Sequence, residues 1–204
     1  MVNATDSEVA ASIVAAVNRQ PGIASIELTG SRAHGAAQPL SDWDFQIETS
    51  DFQSVARALP ELVAPLEPLA EQWDRLSDHA CYMLMLRGVG KVDLIFDEPW
   101  ETSPPWEVSA ETLQGIDDHF WDWTIWLAAK DQAGKREMVG TELTKMHEHL
   151  LAPLGVERAP LSIADAVAVY TPAREDAEKR LPVAVPRAVE DEVRRLLVAG
   201  GYAI

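Results

Sequence analysis

The sequence predicts an α/β half followed by a helical half, joined near residue 100. Three observations predict it. Apolar and polar residues alternate at strand spacing in 23–28 and 41–47, and two strand-like arms, 80–87 and 91–96, flank a glycine turn. Prolines gather at Pro99, Pro104 and Pro105, which marks a linker. Beyond the linker, apolar residues recur at helical spacing. The expected domains are residues 1–100 and residues 106–204.

In chain order, Thr5-Asp6-Ser7-Glu8 has the pattern of a capping box, and Val9, Ile13, Val14 and Val17 follow at helical spacing until Pro21-Gly22. Ile23 to Leu28 is a strand ended by Gly30-Ser31, with a short helical turn expected at Arg32-Ala33-His34 and a loop from Gly35 to Leu40. The next strand carries Asp42 and Asp44. From Asp51 to about Leu66 the spacing of Phe52, Val55, Leu59, Leu62 and Val63 predicts a helix, broken by Pro60 and Pro65. Leu69 to Leu76 fits a strand. Ala80 to Arg87 and Lys91 to Phe96 flank Gly88-Val89-Gly90 as a β-hairpin. Helices are expected at Phe120–Ala129, Met138–Leu151, Ile163–Tyr170 and Ala188–Val198.

Thirty-three Asp and Glu against 17 Lys and Arg give a net charge of −16, a field that repels nucleic-acid phosphates and attracts cations. A polynucleotide partner is therefore not expected. The single cysteine, Cys81, lies in an apolar run and suits a packed thiol in a reducing cytoplasm. The first residues lack the pattern of a signal peptide, and no run reaches about 18 apolar residues, so no membrane partner is expected.

The chemistry concentrates in a few residues. On a strand, side chains repeat every two residues, so Asp42, Asp44, Gln46 and Glu48 share one face and Trp43, Phe45 and Ile47 the other. Two carboxylates about 6 to 7 Å apart along one face can meet one cluster of hard cations. Asp93 adds a third acid amid Val92, Leu94, Ile95 and Phe96, where burial calls for a cation or a hydrogen-bond donor. Two Mg²⁺ ions about 3.5 to 4 Å apart need shared carboxylates, and Gly30-Ser31 could offer backbone N–H groups and a hydroxyl to phosphates. These are the parts of a two-metal phosphoryl-transfer site.

Gly-Ser, a short spacer and Asp-x-Asp stand here as GSRAHGAAQPLSDWDFQI, residues 30–47, with VDLIF at 92–96 supplying the later strand. In these motifs the chain resembles the DNA polymerase beta-like nucleotidyltransferase superfamily. Its size, acidity and FWDWTIWLAAK at 120–130 make it similar, within that superfamily, to bacterial aminoglycoside and lincosamide nucleotidyltransferases. The resemblance implies a nucleotidyltransferase fold: a mixed sheet flanked by helices, then a C-terminal helical bundle. It implies Asp42, Asp44 and Asp93 as metal ligands and catalytic groups, with Asp93 a third ligand, a general base or both. Gly30, Ser31 and Lys130 would contact the nucleotide. The implied cofactors are Mg²⁺ and ATP or another nucleoside triphosphate. The implied reaction moves AMP to a hydroxyl of a small, cationic acceptor received between the two halves, and releases pyrophosphate. The alternative is a regulatory, antitoxin-like protein of the same fold that nucleotidylates or binds a partner protein.

Plainer readings stand beside these. Asp93 could form a buried ion pair with Lys91 or an arginine, and Lys130 could be a solvated helix end. Trp121, Trp123 and Trp126 fit helix packing better than a stacking platform. His34 fits a surface turn. His147-Glu148-His149 lacks zinc-motif spacing, because i and i+2 do not face each other on a helix. The sign-alternating runs Glu175 to Arg180 and Glu190 to Arg195 are expected to be solvated helix faces.

Overall fold

The computed structural model describes residues 4–204, with side chains from Ser7 onward. The chain divides into two compact units: residues 1–37 with 41–103, and residues 38–40 with 104–204.

The first unit is built on a mixed five-stranded sheet in the order β1-β2-β5-β4-β3. Its strands are β1 (Ile23–Leu28), β2 (Trp43–Thr49), β3 (Ala70–Trp73), β4 (His79–Leu86) and β5 (Gly90–Pro99). The β2–β5 pair is parallel and the other three pairs are antiparallel. The hairpin of β4 and β5 turns about Gly88, whose φ of +75° suits a glycine. On one face Trp43, Phe45, Ile47, Val92, Leu94 and Phe96 pack against Ile13 and Val17 of α1 (Ala4–Val17) and Val55, Leu59 and Val63 of α3 (Phe52–Val63). That alternation is the one the sequence shows, and it commits the acids to the opposite face. Between β1 and β2 a single turn, α2 (Gly30–Ala33), starts two residues before the turn expected at Arg32.

The Thr5-to-Glu8 capping box falls within α1, and the side chains of Thr5 and Asp6 lie outside the described residues. Pro60 does not break α3 as expected. The ring sits on the exposed side of the helix, where water can meet the carbonyl that loses its N–H partner. Pro65 falls in a 3-10 turn, Ala64–Leu66, that ends the element.

The second unit is helical: α4 (Leu113–Gln132), α5 (Arg136–Met146) continued by a π turn through Leu151, α6 (Ile163–Arg180) and α7 (Ala188–Ala199). α4 starts earlier than Phe120, and α6 runs beyond Tyr170 and through Pro172. The buried stripe Ile163, Ala166, Val167, Tyr170, Arg174 and Ala177 explains the longer α6, because it holds helical spacing on both sides of the solvent-facing proline. Among the described residues no helix is long and apolar enough to cross a membrane.

Candidate active site

Pairing of β2 with β5 sets Asp44 beside Asp93 on adjacent parallel strands. Neighbouring residues of such a pair point to the same face, about 4.8 Å apart. Asp42 precedes the first residue of β2 and joins them. One oxygen from each of Asp42, Asp44 and Asp93 lies within 4.8 Å of the others. Asp42 is 5% exposed, Asp93 7%, and Asp44 half-buried. Burial pushes the Asp93 carboxyl up; Lys91 opposes this, while Asp42 and Asp74 add to the rise.

The turn before β2 holds this arrangement. Thr29 N–H donates to the Asp44 carbonyl at 2.8 Å, which ties the end of β1 to β2. Arg32 donates from Nε to the Asp42 carbonyl at 3.0 Å and from Nη2 to the Ser41 carbonyl at 2.7 Å. Its guanidinium lies 4.0 Å from the centroid of the Trp43 ring, a cation–π contact that anchors the clamp to the core. Arg32 is a positioning residue for Asp42 that sequence reasoning missed. Its signal was an arginine in the Gly-Ser turn, ten positions before the acid it holds.

Gly30 has φ +65°, and a Cβ there would fall on the Asp44 carboxylate. The room that glycine leaves is filled by that side chain. Ser31 next to it has a buried hydroxyl oxygen with no hydrogen-bond partner. An orphaned buried hydroxyl is costly unless a ligand meets it. Lys91, two residues before Asp93 on the same face of β5, is itself buried, and its Nζ donates to Asp93 Oδ1 at 2.6 Å.

The donor set fits a hard divalent cation, since all three side chains offer carboxylate oxygens within reach of one centre. Asp42 and Asp44 would hold Mg²⁺, with Asp93 completing the set through an oxygen.

The other expected residues lie apart from this cluster in the sequence. Lys130 belongs to the helical unit, with Nζ 4.9 Å from the centroid of the Trp126 ring. Trp121 and Trp123 are buried in the packing of that unit and Trp126 is half-buried. His34 is exposed and donates from Nδ1 to the Gly30 carbonyl at 2.7 Å. His147 donates from Nε2 to the Val156 carbonyl at 2.9 Å, within the π turn. The run Glu190 to Arg195 is not a solvated face, because Glu190 and Glu192 are buried. Their charges are met by arginines, as Arg174 and Arg194 bond Glu190 and Arg195 bonds Glu192.

No protein-family model matches the chain, and no curated protein matches it. Solved structures do. Cid1, an RNA terminal uridylyl transferase, aligns at 16% identity over 45% of this chain and 28% of its own, with a TM-score of 0.37. A cytoplasmic RNA terminal U-transferase aligns at 17% identity over 46% of this chain and 28% of its own, also at 0.37. An aminoglycoside 6-adenyltransferase from Bacillus subtilis aligns at 11% identity over 95% of this chain and 97% of its own, at 0.34. This chain thus spans less than a third of the length of the first two.

Proposed function

We propose that the sheet unit carries the catalytic centre of a Mg²⁺-dependent nucleotidyltransferase. The observation that carries this reading is the gathering of Asp42, Asp44 and Asp93, with Gly30 packed against Asp44 and followed by the orphaned Ser31 hydroxyl. A bound divalent ion supplies positive charge against the negative charge of a triphosphate. Asp42 and Asp44 bind it. The Ser31 hydroxyl donates to a phosphate oxygen, and the Gly30-Ser31 backbone adds N–H groups. Asp93 takes the proton of an acceptor hydroxyl whose oxygen attacks the α-phosphorus, while the bond to the β-phosphate breaks and pyrophosphate leaves.

The donor is ATP in the first instance. A small, cationic, hydroxyl-bearing acceptor of the aminoglycoside or lincosamide kind suits a chain of net charge −16. Purified protein incubated with each of the four nucleoside triphosphates, Mg²⁺ and a panel of such acceptors should release pyrophosphate. Asp44→Asn should lower the rate by about 100-fold or more while leaving the fold intact. Mg²⁺-dependent nucleotide binding that is unchanged in Asp44→Asn would contradict the metal role. Absence of release with every acceptor would overturn the small-molecule reading, and an added nucleotide mass on a co-expressed protein would replace it with the protein-modifying alternative.

A further inference from the structure

Lys91 is used by none of the steps above, yet it is buried at the centre of the site. Its side chain is 5% exposed and its Nζ lies 2.6 Å from Asp93 Oδ1. Both residues sit on one face of β5, and their partners across β4 in register are Met85 and Met83, which bring no charge. On the other side, β2 sets Asp44 beside Asp93. An ammonium is thus placed where like charges crowd most closely. Arg32 is another cation near the cluster, but its guanidinium bonds the backbone carbonyls of Ser41 and Asp42 and lies over the Trp43 ring.

A lysine in this position does two opposed things. It offsets the repulsion among three carboxylates whose oxygens lie within 4.8 Å, which lets the cluster exist without a metal ion. It also places a positive charge against an oxygen that a divalent cation would use, and so competes with that cation. We propose that Lys91 is a built-in counter-ion that stands in for a divalent cation in the metal-free protein and holds down the affinity of the site for metal alone. A charge fixed this way leaves the site dependent on a triphosphate, which brings its own negative charge, for firm metal loading. The inference rests on the divalent-cation reading of the site.

The test uses Mn²⁺ without nucleotide, followed by calorimetry or electron paramagnetic resonance, together with melting temperatures in EDTA and in saturating Mn²⁺. Lys91→Met should bind Mn²⁺ at least about tenfold more tightly than the wild type, because a competing charge is gone. It should melt lower than the wild type in EDTA, and the deficit should shrink in Mn²⁺. Folding of Lys91→Met only when Mn²⁺ is present supports the same conclusion. Lys91→Arg keeps the charge and should stay within about threefold of the wild-type affinity.

Unchanged or weaker Mn²⁺ binding by Lys91→Met would overturn the inference. So would an equal loss of melting temperature in EDTA and in Mn²⁺, failure to fold in either, or tightening by Lys91→Arg to match Lys91→Met. Asp44→Asn separates the two levels: if it loses no Mn²⁺ affinity, the metal reading itself fails, whatever Lys91→Met does.

Discussion

The two units each bury a cluster of charges, and the clusters are built on opposite plans. In the helical unit acids and arginines alternate. Arg174, 2% exposed on α6, donates to Asp117 Oδ1 on α4 at 3.0 Å and to Glu190 Oε2 on α7 at 2.5 Å. Tyr170 donates to the same Asp117 oxygen at 2.6 Å, and Arg194 Nε donates to Glu190 Oε1 at 2.8 Å. One guanidinium thereby ties three helices. In the sheet unit the acids are gathered, not alternated, because parallel pairing sets Asp44 directly beside Asp93. The first arrangement meets Asp117 and Glu190 with a protein cation, leaving Asp117 Oδ2 and Arg174 Nε without hydrogen-bond partners, and serves the fold. The second concentrates one sign and suits an ion from solution. Burial of charge alone therefore does not single out a candidate site; what distinguishes the sheet cluster is three carboxylates brought together by strand register.

The largest effect that separates the two clusters is expected at Arg174. Arg174→Met strands Asp117 and Glu190 in the packing of the helical unit, and breaking a buried pair in this way costs about 3 to 5 kcal/mol. Urea unfolding should show that loss, with Mn²⁺ affinity in the sheet unit unchanged in the folded protein. A loss below about 1 kcal/mol would place the network among exposed ion pairs of little weight.

A smaller and opposite pattern is expected at Gly30. Gly30→Ala forces a Cβ onto the Asp44 carboxylate and strains a backbone at φ +65°. The stability loss should be about 1 to 3 kcal/mol, since both a positive φ and a displaced side chain are involved. Mn²⁺ affinity should fall as well, because the displaced group is a proposed ligand. A variant that loses stability but keeps full Mn²⁺ affinity would show that the close approach of Gly30 to Asp44 serves the turn only.

What the sequence made legible follows the same division. β1 runs Ile23–Leu28 as expected, the hairpin turns at Gly88-Val89-Gly90, and the alternation in 42–48 separates acids from core. These features are local: period-2 patterning and turn residues encode them within a few positions. The Lys91–Asp93 pair was visible for the same reason, since i and i+2 share a strand face. The parallel register that sets Asp44 beside Asp93 was not, because a crossover between strands leaves no local mark. Nor was the helical network. Arg174 meets Asp117 across 57 positions, and in its own segment it directly precedes the run Glu175 to Arg180 that reads as a solvated face. Acids also shortened the expected α4, since buried Asp117 and half-buried Asp118 interrupt an apolar stripe that in fact continues from Leu113. Charge patterning is thus a poor guide to burial wherever long-range arginines are available. The unsatisfied Ser31 hydroxyl likewise has no sequence signature beyond its place after Gly30.

Asp118 gives the finest test of the contrast, because it is a like-charge neighbour inside the helical unit. Burial holds its carboxyl up to about 7, Asp117 and Asp122 add to the rise, and a hydrogen bond from Gln114 opposes it. In the unfolded chain the same group titrates near 3.8. The folded protein therefore binds the extra proton between these values, so stability from this group is fully present below about 4 and is lost as pH rises through about 7. Asp118→Asn removes a charge that the fold does not favour. Relative to the wild type it should gain on the order of 1 kcal/mol at pH 8, allowing for solvent screening of a partly exposed group, and gain little at pH 4. Melting curves of both proteins at pH 4, 6 and 8 measure the difference directly. If the gap stays constant across that range, the like-charge step on α4 is met by groups that neutralise it. If the gap opens with pH, the Asp118 charge costs stability even with Arg174 bonded to the neighbouring Asp117, whereas in the sheet cluster Lys91 meets Asp93 directly.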